Sequence, residues 1–267
     1  MYFAKIFNKK EEIYMDVKKL INEVEEKYNV KIIFACESGS RAWGFPSQNS
    51  DYDIRFVYVK NEDEYLKLNR DRDVIEYMLD DVIDMNGWDL DKALKLLHSS
   101  NPTFFEWLNS PIIYFKREFY NDLLEASKNY FDVKKELGHY LSMCENDFSK
   151  IRNSNEQFKL KRYFYVIRAL LAAKWAFEEK TVPPVLFETL VETKLKDNLK
   201  PIIKELLEIK KNSTESNYIS PIKELNDFIE EELVKLKKEM INLDNSIKSF
   251  DDLNTLFIKG VKNYDKL

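Results

Sequence analysis

Residues 34–59 read FACESGSRAWGFPSQNSDYDIRFVYV. Two apolar runs of strand length flank a polar loop, and two of the chain's five glycines, Gly39 and Gly44, fall inside it. The first run, KIIFACE from Lys31, reads as a strand ending at Glu37. The second, IRFVYV from Ile54, is rich in β-branched and aromatic residues and reads as another. Between them Ser38-Gly39-Ser40 breaks regularity, and Gly39 permits a positive φ and a close approach of ligand to backbone. Backbone N–H groups in such a turn can cradle a phosphate, with a serine hydroxyl as a further donor. Strand alternation puts Asp51 and Asp53 on one face and Tyr52 on the other. Two crowded carboxylates repel unless a cation lies between them. Mg²⁺, a hard ion commonly held by one or two carboxylates plus phosphates, is the candidate.

Outward from this stretch, 14–28 carries Val17, Leu20, Ile21 and Val24 at helical spacing. Residues 73–87 read as one long strand or as two short ones around Asp80-Asp81. Asp89 reads as the cap of a helix LDKALKLLH, and Asn101 as the cap of a second, with Pro102 at its first position. SPIIYF from Ser110 reads as another strand. Beyond Glu118 the pattern is helical throughout, interrupted at Pro183-Pro184, with the Lys/Glu-rich stretches after Lys194 as solvated faces. The expected fold class is α+β: a small mixed-sheet domain over 1–118 followed by an all-helical domain over 119–267.

Composition narrows the function classes. A chain of 267 residues with 44% hydrophobic residues, 18 Phe and 15 Tyr is too aromatic to be disordered. A net charge of −5 supplies no broad basic field for nucleic acid or membrane, so any such contact needs a local patch. Two histidines nearly exclude a His-rich zinc site, and two distant cysteines, Cys36 and Cys144, favour a reducing compartment over a disulfide. No segment approaches the apolar length of a signal peptide or membrane span. A cytoplasmic protein with no membrane partner is expected, its oligomeric state open.

Helical spacing also sets Lys161, Tyr165 and Arg168 on one face, beside an apolar stripe of Leu160, Phe164, Ile167 and Leu171. Two cations and a phenol can meet a triphosphate and its nucleoside; as an alternative they pair with nearby acids on the surface. Arg41, directly after the turn, has the same two readings. Trp43, in the loop beside Gly44 and Phe45, is the tryptophan to suspect of stacking on a base, while Trp88, Trp107 and Trp175 read as core.

The order G-S-x10-D-x-D at strand ends resembles the signature of the DNA polymerase beta-type nucleotidyltransferase superfamily. That resemblance implies a Gly39–Ser40 turn gripping a nucleoside triphosphate and Asp51 and Asp53 as ligands of Mg²⁺, with Mn²⁺ as a substitute. It also implies a third carboxylate on a neighbouring strand. Four longer blocks, GSRAWGFPSQNSDYDIRFVY, GWDLDKAL, SNPTFFEWLNSPIIY and KRYFYVIRALLAAKW, are similar to predicted nucleotidyltransferases described as RNA-ligase-associated. They span about half the chain, from Gly39 to Trp175; the last 90 or so residues carry no matching motif. The implied activity is transfer of a nucleoside monophosphate from an NTP to a hydroxyl on an RNA end, a protein or a small molecule. The helical domain would then close over the nucleotide.

Candidates for the third carboxylate are Asp80, Asp81, Asp84 and Asp89. Asp84 is flanked by Ile83 and Met85, as befits an acid aimed from a strand into a site, and is preferred as ligand and general base. Asp89 has a ready capping role and stands in reserve, while Asp80-Asp81 resemble a turn. Two readings of other classes remain: a non-catalytic nucleotide sensor or interaction module on the same fold, and a helical scaffold. The scaffold leaves the GS–DxD coincidence unexplained.

Overall fold

In a computed structural model of the chain, the described residues are 17–78, 82–152, 157–212, 217–244, 246 and 248–266. Asp80 and Asp81 lie outside them, as do residues 14–16. Helix α1 (17–28) leads into β1 (Val30–Glu37), a one-turn helix α2 (Gly39–Ala42) and β2 (Tyr52–Lys60). A short α3 (Glu62–Leu66) precedes β3 (Val74–Met78) and β4 (Ile83–Asp89), so the 73–87 stretch is two strands, paired antiparallel. Helices α4 (Leu90–His98) and α5 (Pro102–Leu108) follow, then the edge strand β5 (Ile113–Lys116).

The sheet order is β3-β4-β2-β1-β5, mixed because β2 and β4 run parallel while the other neighbours are antiparallel. Both faces are covered, which explains why its central strands read as nearly continuous apolar runs. Val17, Leu20, Ile21 and Val24 of α1 pack on Ile32, Ala35, Ile54, Phe56 and Tyr58. The opposite face, with Phe34, Cys36, Val57 and Val59, meets α4, α5 and α6 (Phe119–Ser127). The β1–β2 register shifts between Ile32 and Phe34, and this irregularity puts Ile33 and Phe34 together in the second cluster. Each fully buried side chain of this size contributes roughly 1.5–3 kcal/mol.

The helical part consists of α7 (Val133–Arg152), α8 (Lys161–Glu179), α9 (Phe187–Lys194), α10 (Lys200–Lys211), α11 (Lys223–Ile241) and α12 (Asp251–Lys262). Helix α8 stops where Lys180 turns left-handed, φ 56°, ahead of the two prolines. Helices α7 to α11 enclose one large core, into which the loop residue Phe45 also inserts, stacked on Phe164. One detail departs from the all-helical expectation: a two-residue strand β6 (Phe158–Lys159) pairs with β7 (Tyr218–Ile219). Helix α12 returns to pack on α4 and α6 through Leu253, Leu256 and Val261. Cys36 and Cys144 are both free and buried. Among the described residues no helix is long and apolar enough to cross a membrane.

Candidate active site

Where β1 ends, the backbone turns at Gly39 with φ +61°, a conformation that side-chain-bearing residues rarely adopt. Space forbids a side chain as well: a Cβ built at Gly39 would collide with Asp53 Oδ2. The glycine therefore lets the turn's backbone lie directly on the strand carboxylate. The Ser38 amide donates to the Asp53 carbonyl at 2.8 Å, and the turn closes through Trp43 N–H to Gly39 O and Phe45 N–H to Ser40 O, both 3.0 Å. Behind the turn lies Glu37, fully buried, which accepts from the Asp53 amide at 2.9 Å and from the Tyr114 hydroxyl. Burial pushes its carboxyl up to about 7, against the pull of the Tyr114 and Asp53 hydrogen bonds.

Parallel pairing of β2 with β4 sets Asp53 abreast of Asp84. Arg55, two residues on and thus on the face of Asp53, spans the pair: its Nη2 donates to Asp53 Oδ1 at 2.9 Å and to Asp84 Oδ2 at 2.8 Å. Its Nη1 donates to the Ile54 and Asp84 carbonyls, both at 3.1 Å.

Asp53 and Arg55 face a cleft of about 450 Å³ whose near side they form with Ser38, Gly39, Ser40 and Asp51. Trp43 and helices α7 and α8 form the rest, contributing Met143, Asp147, Lys161, Tyr165, Arg168 and Ala169. Arg168 is buried, ion-paired with Glu106 of α5 at 2.9 Å, and its guanidinium covers Trp43 at 4.2 Å from the ring centre. Glu106 also accepts Trp43 Nε1–H at 3.1 Å and the Tyr140 hydroxyl at 3.0 Å. Tyr165 meets the edge of Trp43 with ring centres 5.7 Å apart. One carboxylate thereby ties the loop, α7 and α8 to the first half of the chain.

Of the residues singled out from sequence, Gly39, Ser40, Asp51, Asp53, Lys161, Tyr165 and Arg168 line this one cleft. Asp84 stands beside Asp53 but is not among the lining residues. Neither is Arg41, whose Nη2 and Nε donate to the Ser50 and Asp51 carbonyls at 2.6 and 3.0 Å while it stacks on Tyr52 at 3.7 Å. Arg41 shapes the loop that carries Asp51. Asp89 is buried, caps α4 by accepting from Asp91 N–H, and accepts from the Tyr65 hydroxyl at 2.8 Å.

Sequence reading missed Arg55, Glu37, Glu106 and Asp147. Alternation from Asp53 would have found the face of Arg55, and the others show themselves only through contacts distant in sequence.

The chemistry of the donor set fits a hard divalent cation. Asp51 and Asp53 are carboxylates on the wall of a polar cleft with the Ser38 and Ser40 residues beside them, and a site of this kind is completed by phosphate and water. Among the described residues no three His, Cys, Asp or Glu side chains stand at metal-holding spacing, and Arg55 engages both Asp53 and Asp84. The carboxylates that would hold the ion are Asp51 and Asp53, the second of them shared with Arg55.

A mixed sheet with carboxylates at its strand ends beside a glycine–serine turn resembles what is expected of polymerase beta-type nucleotidyltransferases. Within that class the chain belongs to the RNA repair pathway DNA polymerase beta family, RlaP, whose family model matches residues 13–259. Uncharacterized protein YcgL of Bacillus subtilis strain 168 is 36% identical over 245 residues, which cover 91% of this chain and 94% of YcgL. The crystal structure of a nucleotidyltransferase-like protein from Exiguobacterium sibiricum aligns over 84% of this chain and 74% of its own. At 15% identity and a TM-score of 0.31 that likeness is too distant to bear on the site.

Proposed function

We propose that the chain is a Mg²⁺-dependent nucleotidyltransferase that moves a nucleoside monophosphate from an NTP to an acceptor hydroxyl and releases pyrophosphate. The observation that carries this reading is the meeting, across one cleft, of the Gly39–Ser40 turn, Asp51 and Asp53 with the Lys161–Tyr165–Arg168 face of α8. In this reading the turn's backbone and Ser40 bind the β- and γ-phosphates, and Lys161 draws the triphosphate toward α8. Tyr165 and Trp43 offer ring surface to the nucleoside. Asp51 and Asp53 would hold Mg²⁺, or Mn²⁺ in its place, and the ion would supply charge neutralisation for the triphosphate. The acceptor oxygen attacks the α-phosphorus in line, the bond to the bridging oxygen breaks, and pyrophosphate leaves with that electron pair. Asp84 takes the acceptor's proton. Residues 1–118 then form the catalytic unit and 119–267 the part that closes over the nucleotide. The family's description makes an RNA end the first acceptor to test, with a protein or small-molecule hydroxyl next.

The Arg55 bridge favours a second reading, a nucleotide-binding module without chemistry, because it engages the preferred third carboxylate. Both readings meet one experiment. Thermal stability is followed with each NTP, with and without Mg²⁺, for the wild type and Asp51→Ala/Asp53→Ala; transfer of label from [α-³²P]NTP to RNA is then assayed. A metal-dependent rise lost in the variant, with label transferred, is the expected result. Stabilisation without transfer to any acceptor leaves the second reading, and no stabilisation by any NTP in large excess rejects both.

A further inference from the structure

Arg55 sits where a divalent cation would have to compete with it. Its Nη2 touches a carboxylate oxygen of both Asp53 and Asp84, and its Nη1 is anchored on the Ile54 and Asp84 carbonyls. The side chain is only 18% exposed, yet Arg55 lines the cleft together with Gly39, Ser40, Lys161 and Arg168. A guanidinium donates in a planar fork that suits carboxylate and phosphate oxygens equally well. It therefore has two alternative sets of partners within reach of one strand position: the strand carboxylates, or the phosphates of a bound nucleotide.

Charge dictates the consequence. A positive group in direct contact with two carboxylates lowers their pull on an added dication, by repulsion and by occupying lone pairs the cation needs. We propose that Arg55 is an internal counter-ion that holds Asp53 and Asp84 against a divalent cation until a nucleoside triphosphate takes over its guanidinium. Metal and nucleotide then bind as coupled ligands, and the coupling is reciprocal: each removes the competitor of the other. Metal on the aspartates is thereby made conditional on substrate, and Asp84 is released at the moment it is needed. This rests on the nucleotidyltransferase reading of the site.

One substitution moves the two ligands in opposite directions. Mn²⁺ alone, without nucleotide, is titrated into wild type, Arg55→Gln and Arg55→Lys and followed by the loss of the free-ion paramagnetic resonance signal. ATP is titrated separately in EDTA, where no metal is available. Arg55→Gln is expected to bind Mn²⁺ at least tenfold more tightly than wild type and metal-free ATP at least tenfold more weakly, and Arg55→Lys to move both values back toward wild type. A residue that merely supported the strand would weaken both. Unchanged or weaker Mn²⁺ binding in Arg55→Gln overturns the proposal; so does unchanged ATP binding. Should Arg55→Gln not fold, Arg55→Met carries the same expectations with a side chain of similar length. Asp51→Asn/Asp53→Asn separates the two levels. If wild type binds both ligands and this variant loses Mn²⁺ but keeps metal-free ATP, a flat response to Arg55→Gln rejects the counter-ion alone. If neither wild type nor Arg55→Gln binds Mn²⁺ or ATP, the nucleotidyltransferase reading falls with it.

Discussion

Glu136 shows how far a single side chain can be driven by its surroundings. It is fully buried on α7 and accepts from Ser100 Oγ at 3.1 Å, and its Oε2 has no partner among the described residues. Burial pushes its carboxyl up to about 9, with the charges of Glu106 and Asp132 adding to the rise and the Ser100 bond opposing it. The folded state therefore holds this proton more tightly than the unfolded chain does. Its contribution to stability is complete below about pH 4.5 and is lost as pH climbs through about 9. Glu136→Gln keeps the shape without the titration. Urea unfolding at pH 5 and pH 8.5 should show the variant gaining on wild type as pH rises, by up to about 1.4 kcal/mol per unit. Parallel pH profiles for the two proteins would refute this. Gly39 is the other extreme: its positive φ was legible in the sequence, while its close contact with Asp53 came only from the fold.

Among the elements, α4 and α5 test capping against catalysis. Asp89 and Asn101 cap their helices as the local sequence predicts, Asn101 accepting from Thr103 and Phe104 N–H with Pro102 behind it. Asp89 does more, since it also holds the buried Tyr65 hydroxyl and lies 3.5 Å from Lys60 Nζ. Asp89→Ala removes the cap, about 1 kcal/mol, and leaves the proton of the buried Tyr65 hydroxyl without its acceptor, about 1–3 kcal/mol. Chemical denaturation should register a loss of about 2 kcal/mol or more, while Mg²⁺-dependent NTP binding persists. Loss of that binding in a folded variant would return Asp89 to the list of site carboxylates. Glu106 of α5 gives the opposite pattern. Truncating it leaves Arg168 as a buried charge without its carboxylate, so Glu106→Ala is expected to cost about 3–5 kcal/mol. Trp43 fluorescence should change in the folded fraction, because the indole loses its acceptor. An unaltered spectrum and an unaltered unfolding midpoint would contradict the network.

For the whole molecule, the decisive feature is the return of α12. Its Gly260 comes so close to α4 that a Cβ there would stand 2.6 Å from Leu90 Cδ2, and Leu253, Leu256 and Val261 complete the core under the sheet. The first half of the chain thus borrows its last layer from residues more than a hundred positions away. Leu253→Ala should cost about 2–5 kcal/mol in a single unfolding transition seen alike by far-ultraviolet dichroism and by tryptophan emission. A fragment of residues 1–118 should expose apolar surface and aggregate; a monomeric, cooperatively folding fragment would show that α12 is dispensable.

The amino-acid sequence by itself determined the local chemistry: the apolar runs that become β1 and β2, the glycine that permits a positive φ, the Asp51–Asp53 alternation, and the caps of α4 and α5. Each depends on residues within a few positions of one another, where backbone geometry leaves little choice. Tertiary structure alone decided that Asp84 lies abreast of Asp53, that Arg55 bridges them, that Glu106 gathers donors from three elements, and that α12 seals the first half. Those facts rest on strand register and helix docking. Both are set by the burial of faces contributed from distant parts of the chain, and so are written in no single segment.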